Sequence, residues 1–296
     1  MKIRTFFCLE FSILTIISGI ANASDVADVS TDTAERIAPA YPSHIVKNVE
    51  LTNSQIVEIP KFIYELSGLN KLTIEATNIA AAEFSGLSNQ LIDLDVKNNF
   101  QLTRINNVSV GNGGTVSISQ NTSLVNIIGF KIQNAEKIDI SGNLALSSIT
   151  GCKFSSVDEI VISGNPMLEN IYCGNSWDGV RKINLSGNAL DNSAISGLPD
   201  FATSLNELIL SYNIGITSID GDLGLATSPV SRLDISNTGI KTVPKAIPYM
   251  LSLDTLIMSS TCISEEEYKL FYSIFEDKIS LISPKPEAYA RGTHCN

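Results

Sequence analysis

The chain has 296 residues and a formal net charge of −11, from 31 acidic and 20 basic residues. No cluster of lysine or arginine interrupts this acidity, which disfavours nucleic acid and anionic membranes as partners. The sequence therefore offers no basic surface for a polyanion.

Segment 1–23 has the pattern of an export signal. Basic Lys2 and Arg4 precede an apolar run over 11–17, and Ala21-Asn22-Ala23 supplies a small-x-small cleavage motif. No later stretch approaches the roughly 18 apolar residues that a membrane-spanning helix needs. We expect segment 1–23 to be removed and the mature protein to be secreted and extracellular, without a membrane span.

Segment 24–44 is acidic and lacks periodicity, and we interpret it as a flexible leader. From position 45 to position 263 an aliphatic-x-aliphatic pair returns at a nearly constant interval. Each pair, with its alternating neighbours, predicts one short strand, and the even spacing predicts ten stacked turns of a solenoid. The pairs begin at Val49, Leu72, Leu94, Val116, Ile138, Ile160, Ile183, Leu208, Leu233 and Leu256.

A polar residue follows each pair by three positions. The chain turns inward there, so backbone N–H and C=O groups lose their sheet partners, and a buried asparagine amide can satisfy both kinds. We predict a structural asparagine ladder, continued by Ser or Thr in the outer turns. Its members are Asn99, Asn121, Asn143, Asn165, Asn188 and Asn213. An apolar spine on the return path is predicted from Phe84, Phe130, Phe154, Trp177 and Phe201.

These residues resemble the leucine-rich repeat family, whose consensus L-x-x-L-x-L-x-x-N-x-L is matched most fully by Val157-x-x-Ile160-x-Ile162-x-x-Asn165. The resemblance covers about residues 46–263 and is closest in kind to secreted, receptor-type ectodomains. It implies an α/β solenoid: a right-handed superhelix of about ten repeats, a concave parallel sheet, and a short irregular or 3-10 convex side. Plant-type G-x-I-P motifs are reduced to Ile59-Pro60 and Val243-Pro244, so no subfamily is assigned.

Residues 264–296 are predicted to close the open end of the solenoid. Ser264 and Glu267 form a capping box, and Leu270, Phe271, Ile274 and Phe275 follow at helical spacing. A capping helix here would cover the apolar edge of the last turn.

Four cysteines remain after Cys8 leaves with the signal. Cys152 and Cys173 fall on adjacent turns, at a separation that a disulfide accepts, which leaves Cys262 to pair with Cys295. The alternative is four free thiols, which an oxidising compartment disfavours.

On strands whose aliphatic pair points inward, the residues between and after the pair point to the concave surface. Seven consecutive serines in the second column predict a low, hydroxyl-lined floor, and apolar residues interrupt the first column. We predict ligand binding on the concave face of repeats six to ten, although serine in this column also fits a crowded parallel sheet without any ligand. The candidate residues are Val161, Ser163, Asn184, Ser186, Ile209, Ser211, Tyr212, Asp234, Ser236, Ile257 and Ser259.

The sequence contains few residues in patterns typical of a catalytic or metal-binding site. Asp93, Asp95 and Asp139 share a face, but no enclosed site is predicted around them. Only His44 and His294 are available, which argues against a histidine-dependent triad or zinc site. We expect no cofactor and no metal.

Two other motifs have simple interpretations. The glycine-rich run 111–114 lacks a following lysine and predicts a turn rather than a phosphate cradle. Of three glycosylation sequons, at Asn107, Asn121 and Asn184, Asn107 is the expected acceptor, since Asn121 belongs to the buried ladder and Asn184 to the concave face.

The sequence thus predicts a secreted, monomeric, non-catalytic recognition protein that binds an extracellular protein or polysaccharide on its concave face. Two alternatives stay open. One is a carbohydrate-active parallel β-helix enzyme, which needs two or three strands per coil and converging carboxylates. The other is a structural component of a cell wall or matrix.

Overall fold

The computed structural model describes residues 26–28, 46–52, 54–87, 91–111, 113–196, 204–219 and 225–295. The predicted signal segment, most of the predicted leader, Phe201, Asn112 and His44 lie outside these residues.

Twelve parallel strands form one continuous sheet, called the long sheet below. The ten predicted strands are all present, and they lie side by side in chain order, so turns are numbered one to ten from the strand at Asn48–Leu51 to the strand at Thr255–Ile257. Their spatial order is β1 (Val26–Asp28), β2 (Asn48–Leu51), β3 (Lys71–Glu75), β5 (Asp93–Lys97), β8 (Thr115–Ser119), β11 (Lys137–Ser141), β13 (Glu159–Ser163), β15 (Lys182–Asn184), β16 (Glu207–Ile209), β17 (Arg232–Asp234), β18 (Thr255–Ile257) and β19 (Leu281–Ser283). The sequence did not predict β1 and β19, which extend the sheet by one strand at each end.

The aliphatic pairs fix the register of the long sheet. Ile138 lies opposite Val116 on one side and Ile160 on the other, so equivalent residues stack in columns. Ile138 and Ile140 are both completely buried, while the residues between and beside them are half-exposed. One face of the sheet therefore belongs to the core and the other faces outward.

A second, seven-stranded sheet lies on the return path of turns two to six and is called the back sheet below. The prediction of an irregular or 3-10 return path is wrong for these turns. Each of the shortest back strands has a single buried side chain, such as Ile127 or Ile132, so no alternation could be detected in the sequence. The strands are β4 (Ala81–Glu83), β6 (Arg104–Asn106), β7 (Ser109–Val110), β9 (Asn126–Ile128), β10 (Lys131–Gln133), β12 (Ser148–Ser155) and β14 (Asn170–Asp178).

Turn length explains where this second sheet occurs. Turns two to five are the shortest and carry back strands, whereas turns seven and eight are the longest and carry helical segments. A strand advances about 3.3 Å per residue, compared with about 2.0 Å for a 3-10 helix, so a helical return path needs more residues for the same distance. The predicted 3-10 return path is confirmed in the outer turns, at Lys61–Glu65, Leu225–Thr227 and Ile247–Tyr249, and turn seven has a short α-helix at Asn192–Ser196.

Buried aromatic side chains of the back sheet and its neighbouring segments contact each other from turn to turn in the core. The ring of Phe154 makes edge contacts with Phe130 at 5.8 Å and with Trp177 at 5.2 Å between centroids. Phe84 is also buried. These four side chains form the predicted apolar spine as far as the described residues show it.

Both predicted disulfides are present. Cys152 and Cys173 lie opposite each other in the back sheet with their Cα atoms 4.4 Å apart, and Cys262 and Cys295 are joined with Cα atoms 5.2 Å apart. The first links adjacent turns, and the second ties the C-terminal segment to turn ten.

The capping helix spans Glu265–Phe275, and the Ser264 hydroxyl accepts a hydrogen bond from the Glu267 backbone N–H at 3.2 Å. Its buried face differs from the predicted one. Tyr268 and Phe271 are buried, whereas Leu270 and Ile274 are exposed by 63% and 50%. The reason lies in the segment after the helix, since the ring of Tyr289 stacks on Tyr268 at 3.9 Å and so fixes which side faces inward.

Candidate functional site

The outward face of the long sheet carries the predicted ligand residues of turns six to ten. In the column between the members of each aliphatic pair, all five side chains are partly exposed, so they lie at the surface of the parallel sheet. They are Val161, Asn184, Ile209, Asp234 and Ile257. Three of the five are aliphatic, so this part of the outward face is partly apolar.

The serine column is less open than predicted. Ser163, Ser186 and Ser259 are half-exposed, but Ser211 and Ser236 are only 5% and 6% exposed. The Ser236 hydroxyl donates to Asp234 Oδ1 at 2.7 Å. The serine hydroxyls are therefore less accessible on the outward face in turns eight and nine than in turns six, seven and ten.

Tyr212 is the most exposed of the predicted ligand residues, with 63% of its surface accessible. Its backbone has φ of 60°, in the left-handed region, and this conformation recurs directly before the ladder position in every turn from two to ten, for example at Asn98 and Ser260. A bulky residue with this φ costs free energy, of order 1–3 kcal/mol, unless the surroundings compensate. The conformation therefore belongs to the repeat, and what distinguishes Tyr212 is its exposed aromatic side chain.

The six ladder asparagines form one buried column beneath this edge of the long sheet, and five of them are completely buried. Asn143 shows the arrangement. Its Nδ2 donates to Ile118 O at 2.9 Å, and its Oδ1 accepts from the backbone N–H of Asn121 at 3.0 Å. The same pair of contacts recurs along the ladder, so this edge of the long sheet is held by amides that are hydrogen-bonded to the neighbouring turns.

The regular ladder is interrupted between turns seven and eight. Asn213 Oδ1 accepts from Leu190 N at 3.2 Å rather than from the backbone of Asn188. Turn seven is longer than turn six, which moves its backbone relative to the next amide. The interruption lies next to Tyr212 in the sequence, so the exposed tyrosine and the change in ladder pattern occur together.

The carboxylates of the N-terminal turns lie on separate strands, and each has its own lysine partner. Asp95 and Asp139 lie two strands apart with Ser117 between them in register, which separates their Cα atoms by about 9.6 Å. Asp95 pairs with Lys97 at 2.9 Å and Asp139 with Lys137 at 3.4 Å. The hydrogen bond from Lys97 to Asp95 raises the pKa of that lysine.

Asp93 accepts hydrogen bonds from the next turn rather than pairing with a lysine. Its Oδ1 accepts hydrogen bonds from the Thr115 N–H at 2.8 Å and the Thr115 hydroxyl at 3.0 Å, so this carboxylate connects turns three and four.

One group of potential metal ligands occurs in the described part of the chain, formed by Cys262, Cys295 and His294. Both sulfur atoms belong to the disulfide, and a His294 ring nitrogen lies 3.0 Å from Thr238 O. The cluster therefore fastens the C-terminal segment. A sulfur in a disulfide is not the thiolate that a transition metal prefers.

The glycine-rich run packs a turn. A Cβ atom at Gly114 would lie 2.0 Å from Ile92 O, so only glycine fits beside the preceding turn. Gly113 has φ of 86°, which also favours glycine.

The three sequons differ in accessibility. Asn107 is exposed and donates from Nδ2 to Glu83 Oε1 at 3.0 Å, a bond that lowers the pKa of Glu83. Asn121 is completely buried in the ladder. Asn184 is half-exposed, and its Oδ1 accepts from Ser186 N at 2.9 Å.

The two predicted ligand-binding columns do not include a further set of exposed apolar side chains. Phe100, Leu144 and Ile214 directly follow ladder asparagines and are exposed by 58%, 54% and 63%. Their spacing follows the repeat, so the signal was present in the sequence one position beyond the ladder.

The helices in the described part of the chain include none with the length and apolar character that crossing a membrane requires.

Comparison with known proteins gives only remote likenesses. No protein-family model matches the sequence, and no curated protein shows significant similarity to it. An internalin of Listeria monocytogenes is 13% identical, with a TM-score of 0.39 over 84% of this chain and 78% of that one.

Two other solved structures are similar to the same degree. A leucine-rich repeat protein of Leptospira interrogans is 14% identical, with a TM-score of 0.29 over 83% of this chain and 97% of that one. A chain from the octameric complex of Latrophilin 3, Unc5D and the leucine-rich repeats of FLRT2 is 12% identical, with a TM-score of 0.37 over 85% of this chain and 89% of that one. Because these similarities are weak, the fold is assigned from the geometry of this chain.

That geometry combines one strand per turn in a continuous parallel sheet, aliphatic pairs facing the core, and a buried asparagine column at the same place in consecutive turns. These are the features that the repeat consensus encodes. The chain therefore has the fold of a leucine-rich repeat solenoid, with ten turns and a C-terminal capping helix.

Proposed function

We propose that the chain is a secreted, non-catalytic recognition protein that binds an extracellular protein on the outward face of the long sheet in turns six to ten. The two disulfides support an oxidising, extracellular setting.

The observation that carries the proposal is the partial exposure of Val161, Ile209 and Ile257 on this face. Aliphatic side chains in these outward positions add nothing to the core of the protein, which lies on the opposite face of the sheet. Neighbouring serines are small, so a partner can approach the aliphatic groups closely. Desolvated apolar contacts surrounded by polar groups are the usual centre of a protein interface.

Tyr212 extends this surface at the edge of the sheet. An exposed tyrosine offers a large contact area with little rotamer entropy to lose, and tyrosine is enriched among residues that dominate binding energy. Its position next to Ile209 and Ser211 in turn eight makes that turn the expected centre of the interface.

The test uses the purified protein as bait against a panel of extracellular proteins and a glycan panel. Ile209→Arg should abolish capture of the specific partner, because it places a charge in the proposed apolar centre. The matched control is Ile128→Arg, which makes the same change at a 41% exposed position on the back sheet and should leave capture intact. Equal capture by both variants would refute the long-sheet site, and capture of glycans alone would replace the protein partner with a polysaccharide.

A second candidate function is favoured by one observation, the back sheet. Turns two to six contain more than one strand each, as the coils of a parallel β-helix enzyme do. The carboxylates available to such an enzyme are Asp95 and Asp139, each already held by a lysine. Release of reducing sugar from a polysaccharide panel, with loss of that activity in Asp139→Asn, would favour this candidate over recognition.

A further inference from the structure

The segment that joins β6 to β7, on the return path of turn three, carries a glycosylation sequon. It consists of Asn107, Val108 and Ser109, of which Asn107 and Ser109 are exposed while Val108 is buried. Transfer of an N-linked oligosaccharide requires an asparagine amide, a hydroxyl two residues later, and a residue other than proline between them. Both of the required polar side chains are therefore at the surface of the folded protein.

The repeat accounts for the sequon at Asn121 but not for the one at Asn107. Asn121 is an asparagine because it belongs to the buried ladder. Ser109, in contrast, lies in register with Lys131 in β10, which in turn lies in register with Lys153 in β12. Among turns three to five, turn three is thus the one with a hydroxyl at this place, two residues after an asparagine.

The backbone column that contains Asn107 continues through glycines. Asn107, Gly129 and Gly151 have φ of 57°, 72° and 63°. The N–H of Asn107 donates to Ile128 O at 2.7 Å, and the N–H of Gly129 donates to Thr150 O at 2.9 Å, so the same bend recurs from turn to turn. In turns three to five, Asn107 is therefore the member of this column that has a side chain, and that side chain is the sequon acceptor.

The side chain of Asn107 is oriented along the solenoid, away from turn four and towards turn two. A Cβ atom at Gly129 would lie 2.6 Å from Asn107 Oδ1, so the amide oxygen is on the side of turn four. The amide nitrogen, Nδ2, donates to Glu83 Oε1 of turn two at 3.0 Å. A sugar attached to Nδ2 would consequently begin beside Glu83, at the end of β4.

β4 is the edge strand of the back sheet on this side. Turn one returns beside it through the 3-10 helix Lys61–Glu65, and no strand of the described residues pairs with β4 there. An edge strand offers unpaired backbone groups to other chains, and natural proteins commonly cover such edges. A glycan that starts beside Glu83 would place a bulky, solvated group over this edge.

We propose that Asn107 carries an N-linked glycan that extends over β4. In the transfer, Asn107 Nδ2 attacks C1 of the first sugar of a polyprenyl diphosphate-linked oligosaccharide, the bond from C1 to the diphosphate oxygen breaks, and the diphosphate leaves. One Nδ2 proton passes to a base of the transferase. The product amide keeps one N–H, which is the number that the hydrogen bond to Glu83 requires.

This modification goes beyond the proposed recognition function and does not depend on it. The glycan lies on the back sheet, whereas the proposed ligand residues lie on the outward face of the long sheet. A glycan at Asn107 therefore leaves that outward face accessible.

Intact-mass analysis of the protein secreted by a eukaryotic host, before and after treatment with peptide N-glycosidase, tests the modification. We expect the wild-type protein to lose the mass of a glycan, with conversion of Asn107 to aspartate in the corresponding peptide. Ser109→Ala should be secreted with Asn107 unmodified, whereas Ser109→Thr should keep the glycan because threonine also supplies a hydroxyl. An unmodified Asn107 in the secreted wild-type protein, or a glycan that persists there in Ser109→Ala, would overturn the proposal.

Ser109→Ala is the sharper of the possible variants. It removes the sequon but leaves Asn107 and its hydrogen bond to Glu83 in place, and it changes an exposed residue. Loss of the glycan in this variant therefore reports the sequon and not a failure to fold.

Carboxyl footprinting of the secreted protein tests where the glycan lies. Glu83 and Glu169 are both exposed, but Glu83 lies beside Asn107 and Glu169 lies on turn six. We expect Glu83 to lose most of its labelling in the glycosylated wild-type protein relative to Ser109→Ala, and Glu169 to be labelled equally in both. Equal labelling of Glu83 in the two proteins would overturn the placement over β4.

Discussion

Asn143 Oδ1 lies 3.0 Å from the backbone nitrogen of Asn121 and accepts its hydrogen bond across one full turn of the solenoid. The Nδ2 of the same side chain donates to Ile118 O in the turn before, at 2.9 Å. A single amide thus satisfies a donor and an acceptor that the end of the strand leaves without sheet partners.

Removing this amide should be costly. Asn143→Ala leaves Asn121 N–H and Ile118 O buried without partners, and we expect the free energy of unfolding to fall by about 3 kcal/mol. Asn78→Ala, at an exposed position of turn two, should change it by less than about 0.5 kcal/mol. Urea unfolding measures both, and equal midpoints for the two variants would contradict a structural role for the ladder.

The disulfide between Cys262 and Cys295, which are 33 positions apart, closes a loop and should stabilise the C-terminal end. In the chain-entropy model its loss in the double variant Cys262→Ser/Cys295→Ser costs about 3–4 kcal/mol. Hydrogen exchange should show the loss of protection concentrated in the capping helix and β19, because few contacts transmit it to distant turns of a solenoid. Uniform loss of protection across all ten turns would argue against local fastening.

Alkaline pH should destabilise the cap. Burial is the main cause that raises the pKa of Tyr268, whose hydroxyl donates to Pro284 O. In the unfolded chain this phenol ionises near pH 10, while in the folded protein it stays protonated to higher pH. Its stabilising contribution is therefore complete below about pH 10 and is lost as pH rises above that value. The thermal unfolding temperature between about pH 8 and about pH 11 should fall more steeply for the native protein than for Tyr268→Phe, and parallel profiles would exclude this tyrosine as the cause.

A methyl group at Gly114 should disturb the turn between β7 and β8. Gly114→Ala places Cβ 2.0 Å from Ile92 O, and since that atom belongs to the backbone the turns must separate, at a cost of about 2 kcal/mol or more. Gly111→Ala is the control, because its nearest atom, Gln133 O, would be at an ordinary contact of 3.4 Å. Thermal denaturation of the two variants should separate by several degrees.

Features that repeat in the sequence could be predicted, and features that depend on a single turn could not. The strand pairs and the disulfides follow from spacing, because each position is repeated or has an equivalent in the next turn. Back strands with one inward side chain, such as Ile127 in β9, leave no periodic signal. The buried face of the capping helix depended on Tyr289, which comes well after Tyr268 in the chain and lies outside any repeat.

The candidate site also combines features that could be predicted from the repeat with features that could not. Outward positions such as Ile209 and Ile257 could be assigned from the alternation of the strand. The burial of Ser211 and Ser236 could not, because it reflects local crowding and the hydrogen bond between Ser236 and Asp234.

The burial of Asn121 has a consequence for how the protein is made. The sequence Asn121-Thr122-Ser123 is an acceptor for N-linked sugar, yet the amide that would carry the sugar is enclosed by the turns on both sides. Oligosaccharide is attached to a nascent chain in the endoplasmic reticulum, so a sugar at this position would arrive before turn five has closed over it. Production in a eukaryotic secretory host should therefore divide the product into an unmodified, folded pool and a modified pool retained by quality control, while bacterial periplasmic production avoids the conflict.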